Sequence, residues 1–178
     1  MTRLNNADVE IKERELVIVR LFDAPRALVY KVWTDPEHVK QWWGPKPFTN
    51  PVCEIDLKPG GRFYYVMRSP DGMDFPMLGT YIEIVPNERL VYSDDLFEQA
   101  GFWKMAIGDK VGDDIDFSTI KNKVTVIFED KDGKTKLTLT TRFASNDIRD
   151  AMIGMQMAEG WTQSLEKFAY ELTSSLAR

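Results

Sequence analysis

Thiol and imidazole chemistry are nearly missing from this 178-residue sequence, which has one cysteine, Cys53, and one histidine, His38. A single thiol excludes an intrachain disulfide and a CxxC metal site. It suits a reducing compartment, so a cytoplasmic protein is expected. A single imidazole leaves no set of histidines for a metal centre, and His38, early in a short helix, is expected at the surface. No Gly-x-Ser-x-Gly elbow occurs, and no GK[ST] follows Lys58-Pro-Gly-Gly61, so neither covalent catalysis nor a phosphate loop is indicated. The acids Asp109, Asp113, Asp114 and Asp116 lack the spacing of a calcium loop, and Asp130-Lys-Asp-Gly133 reads as a turn. No metal and no cofactor is expected. Long apolar runs are missing too. Nothing approaches the roughly 18 residues of a membrane span, and residues 1–15 lack the apolar core of a secretory leader. Positive charge is in deficit, with 23 Lys+Arg against 28 Asp+Glu and a formal net charge of −5. That balance argues against nucleic acid as a partner, because its phosphates are met by cations.

What the sequence does have is material for a core. With 43% hydrophobic and 12% aromatic residues, it supports one domain over residues 14–178, preceded by a polar arm over residues 1–13. Val9 and Ile11 alternate in that arm and could add to a sheet edge or pair two copies into a homodimer. Glu15 to Phe22 is β-branched and reads as a strand. Asp23 is placed to cap a first helix opened by Pro25, on which Val29, Val32 and Trp33 recur at helical spacing. Asp35-Pro36 starts a second short helix, which runs to Trp42 and Trp43 and closes at Gly44-Pro45. Antiparallel strands follow over 52–57, 62–68, 77–85 and 89–96. A hairpin pairs 123–129 with 135–143 about Asp132-Gly133. Residues 97–120 show little periodicity and read as a long loop or lid. From Ser145 or Asn146 onward, Met152, Met155, Ala158, Trp161, Leu165, Phe168, Leu172 and Leu176 step by three or four. One helix of roughly 30 residues, about 45 Å long, is expected there.

A strand, two short helices, a run of antiparallel strands and a long amphipathic helix make an α+β helix-grip arrangement, in which a curved sheet wraps the terminal helix. Seven segments occur in the matching order. They are Arg20-Leu-Phe-Asp-Ala-Pro-Arg26, Val32-Trp-Thr-Asp-Pro-Glu37, Gln41-Trp-Trp-Gly-Pro45, Asp56-Leu-Lys-Pro-Gly-Gly-Arg-Phe63, Gly79-Thr-Tyr-Ile-Glu-Ile-Val85, Arg89-Leu-Val-Tyr92 and Glu159-Gly-Trp161. Together they resemble the START-like (SRPBCC) superfamily. Within it, they resemble the group similar to the C-terminal domain of activators of the heat-shock-protein-90 ATPase. The resemblance implies an apolar cavity between sheet and terminal helix, where superfamily members hold lipids, hormones or polyketides and some catalyse cyclisation or hydrolysis.

The leading expectation is therefore a hydrophobic or amphipathic small molecule bound in that cavity. Two-residue alternation puts Phe63, Tyr65 and Met67 on one strand face, Tyr81 with Glu83 on another, and Leu90, Tyr92 and Asp94 on a third. Phe63, Tyr65, Met67, Tyr81 and Tyr92, with Met155 and Glu159 from the terminal helix, are expected to line the cavity. Trp43 and Trp103 are expected near its entrance. Adjacent Trp42 and Trp43 cannot share one inward face, so one anchors the core and the other stands at the opening. The reading requires a cavity above about 300 Å³. An enzyme of polyketide cyclase or hydrolase type is the alternative. It needs an inward carboxylate with a raised pKa, for which Glu159, beside Gln156 and Gln163, precedes Glu83 and Asp94. A co-chaperone-like activator of a chaperone ATPase comes third, because the eukaryotic activators carry an additional N-terminal domain for which this chain has no room.

Overall fold

A computed structural model describes all residues 1–178. Nine strands form a single antiparallel sheet: β1 Thr2–Leu4, β2 Ala7–Lys12, β3 Glu15–Phe22, β4 Thr49–Ile55, β5 Arg62–Arg68, β6 Asp74–Val85, β7 Arg89–Asp94, β8 Asn122–Lys131 and β9 Lys134–Arg142. Their order across the sheet is β1-β2-β3-β9-β8-β7-β6-β5-β4. The chain thus crosses once, from β3 to the far edge at β4, and later folds back through β9 to close on β3. Helices α1 Arg26–Thr34 and α2 Pro36–Trp42 make that crossing. α2 begins at Pro36 because Asp35 accepts the Glu37 N–H at 2.9 Å and proline suits the first helical turn. Asp23 does not cap α1. The residue before that helix is Pro25, which has no side-chain oxygen to offer.

The turns follow from their residues. Asp132 and Gly133 both have positive φ, 56° and 84°, the twist a two-residue hairpin needs, and they join β8 to β9. The expected arm at residues 1–13 is a hairpin built on the same device. Asn5 and Asn6 at φ 46° and 63° turn β1 into β2, and asparagine tolerates this region better than most residues. The hairpin is tied down by α5: Asn5 Nδ2 donates to Thr162 Oγ1 and Asn6 Nδ2 to Glu166 Oε1, both at 3.0 Å.

Two further expectations are corrected. Residues 97–120 are not a loop: they carry α3 Ala100–Val111 between short 3-10 turns at Leu96–Gln99 and Phe117–Thr119. Ile107 and Val111 anchor α3 in the core, while Met105 projects to solvent. The terminal helix is not continuous. It is α4 Asn146–Gly154 and α5 Met157–Leu176, broken where Gln156 adopts φ 63°, ψ 38°. Ser145 does cap its start, accepting the Ile148 N–H at 3.2 Å.

One apolar face of the sheet packs under these helices. Val124, Val126, Phe128, Leu137 and Leu139 are buried from the sheet side, and Leu165, Phe168 and Leu172 from α5. Trp42 is buried completely, and its Nε1 donates to the Val32 carbonyl at 2.9 Å. The result is an α+β helix-grip fold. No helix is long and apolar enough to cross a membrane.

Candidate functional site

At the C-terminal half of α5 the helix lies directly on the core. Toward its N-terminal half the packing opens. α2 ends at Trp42, and Trp43 has extended backbone, φ −65° and ψ 135°, so its side chain leaves in another direction. Its ring sits 4.7 Å from Tyr65 and 5.1 Å from Trp161. Here Trp43 fronts a cleft of about 250 Å³ while Trp42 stays in the core. Gly44 turns the chain at φ 85°, and a Cβ there would come within 2.8 Å of Met67 Sδ. This turn forms one wall and is fixed from α5. Lys167 Nζ lies 3.2–3.4 Å from the carbonyl oxygens of Trp43, Gly44, Pro45 and Phe48, which share its three N–H donors. Ser164 Oγ accepts the Gly44 N–H at 3.2 Å and donates to the Trp42 carbonyl at 2.8 Å. Burial lowers the Lys167 pKa, but four carbonyl dipoles around the ammonium compensate its lost water.

The sheet supplies Met67 from β5, Phe75 and Met77 from β6, Asp94 from β7 and Asn122 from β8. The opposite wall is Phe102 and Trp103 on α3, with Met152, Met155 and Met157 around the α4–α5 break. Five of the eight methionines in the sequence, Met67, Met77, Met152, Met155 and Met157, converge on this one opening.

Of the residues expected to line a cavity, Trp43, Met67, Trp103 and Met155 stand on the cleft. Phe63, Tyr65, Tyr81 and Tyr92 do not. They are buried, with Phe63 at 4.8 Å from Tyr65, 5.7 Å from Tyr81 and 5.2 Å from Tyr92, ring centre to ring centre. Gly79 makes room for this cluster, because a Cβ there would overlap the Phe63 ring. The aromatic faces that alternation assigns to a cavity wall are therefore its filling, which is why the opening falls short of 300 Å³. Burial raises the Tyr65, Tyr81 and Tyr92 pKa values and keeps all three neutral.

The three candidate carboxylates separate sharply. Glu83 is exposed and pairs with Arg89 at 3.3 Å, off the cleft. Glu159 is half-buried on α5 and does not border the cleft, although its Oε2 is buried without a partner. Asp94 does border it. Its carboxyl is pushed up to about 7, first by burial and then by the charge of neighbouring Asp95, and no hydrogen bond holds the charged form. Asp95 is the contrast: its carboxylate accepts from Ser93 Oγ at 2.6 Å, Thr80 Oγ1 at 2.8 Å and Arg62 Nη2 at 3.4 Å.

Two other single residues are placed by the fold. His38 is not a free surface group, since its Nδ1 lies 2.8 Å from Glu171 Oε1, both largely buried. Cys53 is half-buried, and its thiol is pushed up to about 12, chiefly by burial, so it is unreactive at neutral pH. Sequence reasoning did not single out Phe75, Asn122 or Met157. For Phe75 a signal existed: it shares the period-two face of Met77 and Gly79, beyond where the strand was expected to begin.

Residues 23–173 match the family described as Activator of Hsp90 ATPase homolog 1-like protein. Among solved structures, the chain is similar to a protein from Nitrosomonas europaea, with 24% identity over 95% of this chain and 100% of that one, TM-score 0.76. It is similar to one from Arthrobacter aurescens at 26% identity over 94% and 91%, TM-score 0.75. A third, from Mycobacterium smegmatis, has 21% identity over 94% and 98%, TM-score 0.74. Among curated proteins none matches.

Proposed function

This chain belongs to the Activator of Hsp90 ATPase homolog 1-like family, and we propose that it binds a small hydrophobic or amphipathic molecule in the cleft between sheet, α3 and the α4–α5 break. The observation that carries this reading is the convergence of five methionines on one opening. Unbranched thioether side chains adapt their shape to an occupant at little conformational cost, and they are used where a surface must accept irregular apolar partners. At about 250 Å³ the cleft misses the roughly 300 Å³ required of a cavity for a drug-sized occupant, so a full lipid tail or a steroid is given up and the proposal is confined to a compact molecule.

Acid–base catalysis on the same scaffold now rests on Asp94, not Glu159. The other polar side chains at the cleft, Asn122, Gln156 and Ser164, do not titrate. One titratable group favours binding over a reaction that must both take and return a proton at different atoms. Action on a chaperone ATPase is the reading the family's name suggests, and stimulation of a purified heat-shock-protein-90 homologue tests it. A homodimer would use the part of β2 that β1 leaves unpaired, Glu10 to Lys12, and sedimentation at micromolar concentration tests that. The half-buried, lone Cys53 thiol fits a reducing, cytoplasmic setting.

Native mass spectrometry of the protein purified from its own source, with an organic extract in parallel, tests the central reading. Gly160 borders the cleft, and a Cβ on it meets only Pro45 Cγ at 3.6 Å, so Gly160→Leu plugs the opening without disturbing backbone. An adduct of small mass on the wild type and its loss in G160L are expected. A retained adduct in G160L places the occupant elsewhere and sinks the proposal.

A further inference from the structure

The sheet wall of the cleft is apolar except at one point. Asp94 of β7 and Asn122 of β8 are register partners on adjacent antiparallel strands, a position that brings Cβ atoms within about 4.5–5.5 Å of each other. Both border the cleft. Asn122 is 98% buried, and its Oδ1 has no hydrogen-bond partner. Asp94 has no hydrogen bond to its carboxyl either. An unpaired, fully buried acceptor such as Asn122 Oδ1 is rare in a folded interior, where nearly every buried polar atom finds a donor, and the partly exposed Asp94 carboxyl stands beside it.

We propose that the cleft recognises a small primary amine with an apolar body, its ammonium group donating to the Asp94 carboxylate and to Asn122 Oδ1. The proposal rests on the cleft being a binding site, as argued above. An ammonium carries three donors on one atom and can reach two neighbouring acceptors at once. No lysine, arginine or histidine borders the cleft, so its one ionisable group is an acid, and the chain as a whole has a net charge of −5. An anion would meet Asp94 with like charge. A hydrocarbon would leave Asn122 Oδ1 unpaired and cover the partly exposed Asp94 carboxyl without replacing its water. Trp43, Phe102 and Trp161 border the same opening, and aromatic rings suit a cation as well as an apolar body. When the cleft is empty, burial disfavours the charged form of Asp94, and a bound ammonium restores it.

Three probes on one phenylethyl frame separate the proposal from its premise: 2-phenylethylamine, 2-phenylethanol and 3-phenylpropionate, each titrated calorimetrically at pH 8 into wild type, Asp94→Asn and Asn122→Ala. Wild type is expected to bind the amine at least tenfold more tightly than the alcohol, and to reject the propionate. D94N removes the amine's advantage but keeps the alcohol, and N122A weakens the amine several-fold more than the alcohol. If wild type binds alcohol and amine equally, or D94N keeps the preference, the amine proposal is overturned while the cleft reading stands. If none of the three probes binds wild type, both fall together.

Discussion

Asp94 and Asp95 are adjacent acids with opposite treatment. Three donors reach Asp95, and none reaches Asp94, whose carboxyl is raised to about 7. A raised acid pKa means the native state holds a proton that the unfolded chain has already released. Between the unfolded value near 4 and the folded value near 7, stability therefore falls as pH rises. The groups facing Asp94 are the Asp95 carboxylate just past the end of β7, the neutral Tyr92 and the amide of Asn122 across the ladder, so no cation offsets the effect. Asp94→Asn should remove this fall. At pH 8 the variant should be about 2–4 kcal/mol more stable than wild type, given about 1.4 kcal/mol per pKa unit. Below pH 4 the two should match. Urea unfolding across pH reads this directly, and a wild-type stability that does not fall between pH 4 and 8 would contradict the environment assigned to Asp94. The sequence placed this carboxylate on the same strand face as Tyr92. It did not reveal that Asp94 rather than Glu159 meets the cleft, because that depends on where the terminal helix breaks.

At the scale of elements, the break between α4 and α5 decides the site. Gln156 in the left-handed region costs about 1 kcal/mol or more for a residue with a Cβ. Nothing in the apolar pattern betrays it, because Met152, Met155, Ala158 and Trp161 keep helical spacing straight through. The periodicity that located the helix thus hid its interruption. α3 was missed for the opposite reason. Only Ile107 and Val111 are buried on it, and two positions four apart, among Gly101, Gly108 and Asp109, give no readable stripe. Strands β3, β5 and β9, by contrast, were legible nearly to the residue, since runs of β-branched or aromatic residues bounded by turn residues leave little freedom. Trp42 and Trp43 were legible in logic but not in assignment. Gln156→Gly should relieve the backbone strain and stabilise the protein by about 0.5–1 kcal/mol in thermal or urea unfolding. A loss of stability instead would mean that the Gln156 side chain holds the break in place.

At the scale of the molecule, the grip is closed at one end and open at the other. Leu165, Phe168 and Leu172 seal the C-terminal half of α5 against the sheet, while Met157 and Trp161 toward its start are only partly covered. The four inner aromatics fill what a larger cavity would leave empty, so this helix-grip fold opens only at a methionine-lined cleft. That difference between a filled and an open interior is set by side-chain directions around Gly79, Gly44 and the α4–α5 break. Alternation on a strand cannot distinguish the two, because core and cavity wall share the same face.

The methionines also provide the most direct test, since their methyl groups are separately visible by NMR after carbon-13 labelling. Five of them border the cleft, and the other three, Met1, Met73 and Met105, are well exposed elsewhere. Titration with 2-phenylethanol should shift Met67, Met77, Met152, Met155 and Met157 together, with one saturation midpoint, and leave Met1, Met73 and Met105 in place. Shifts of equal size at all eight, or at none, would contradict a binding site in this cleft.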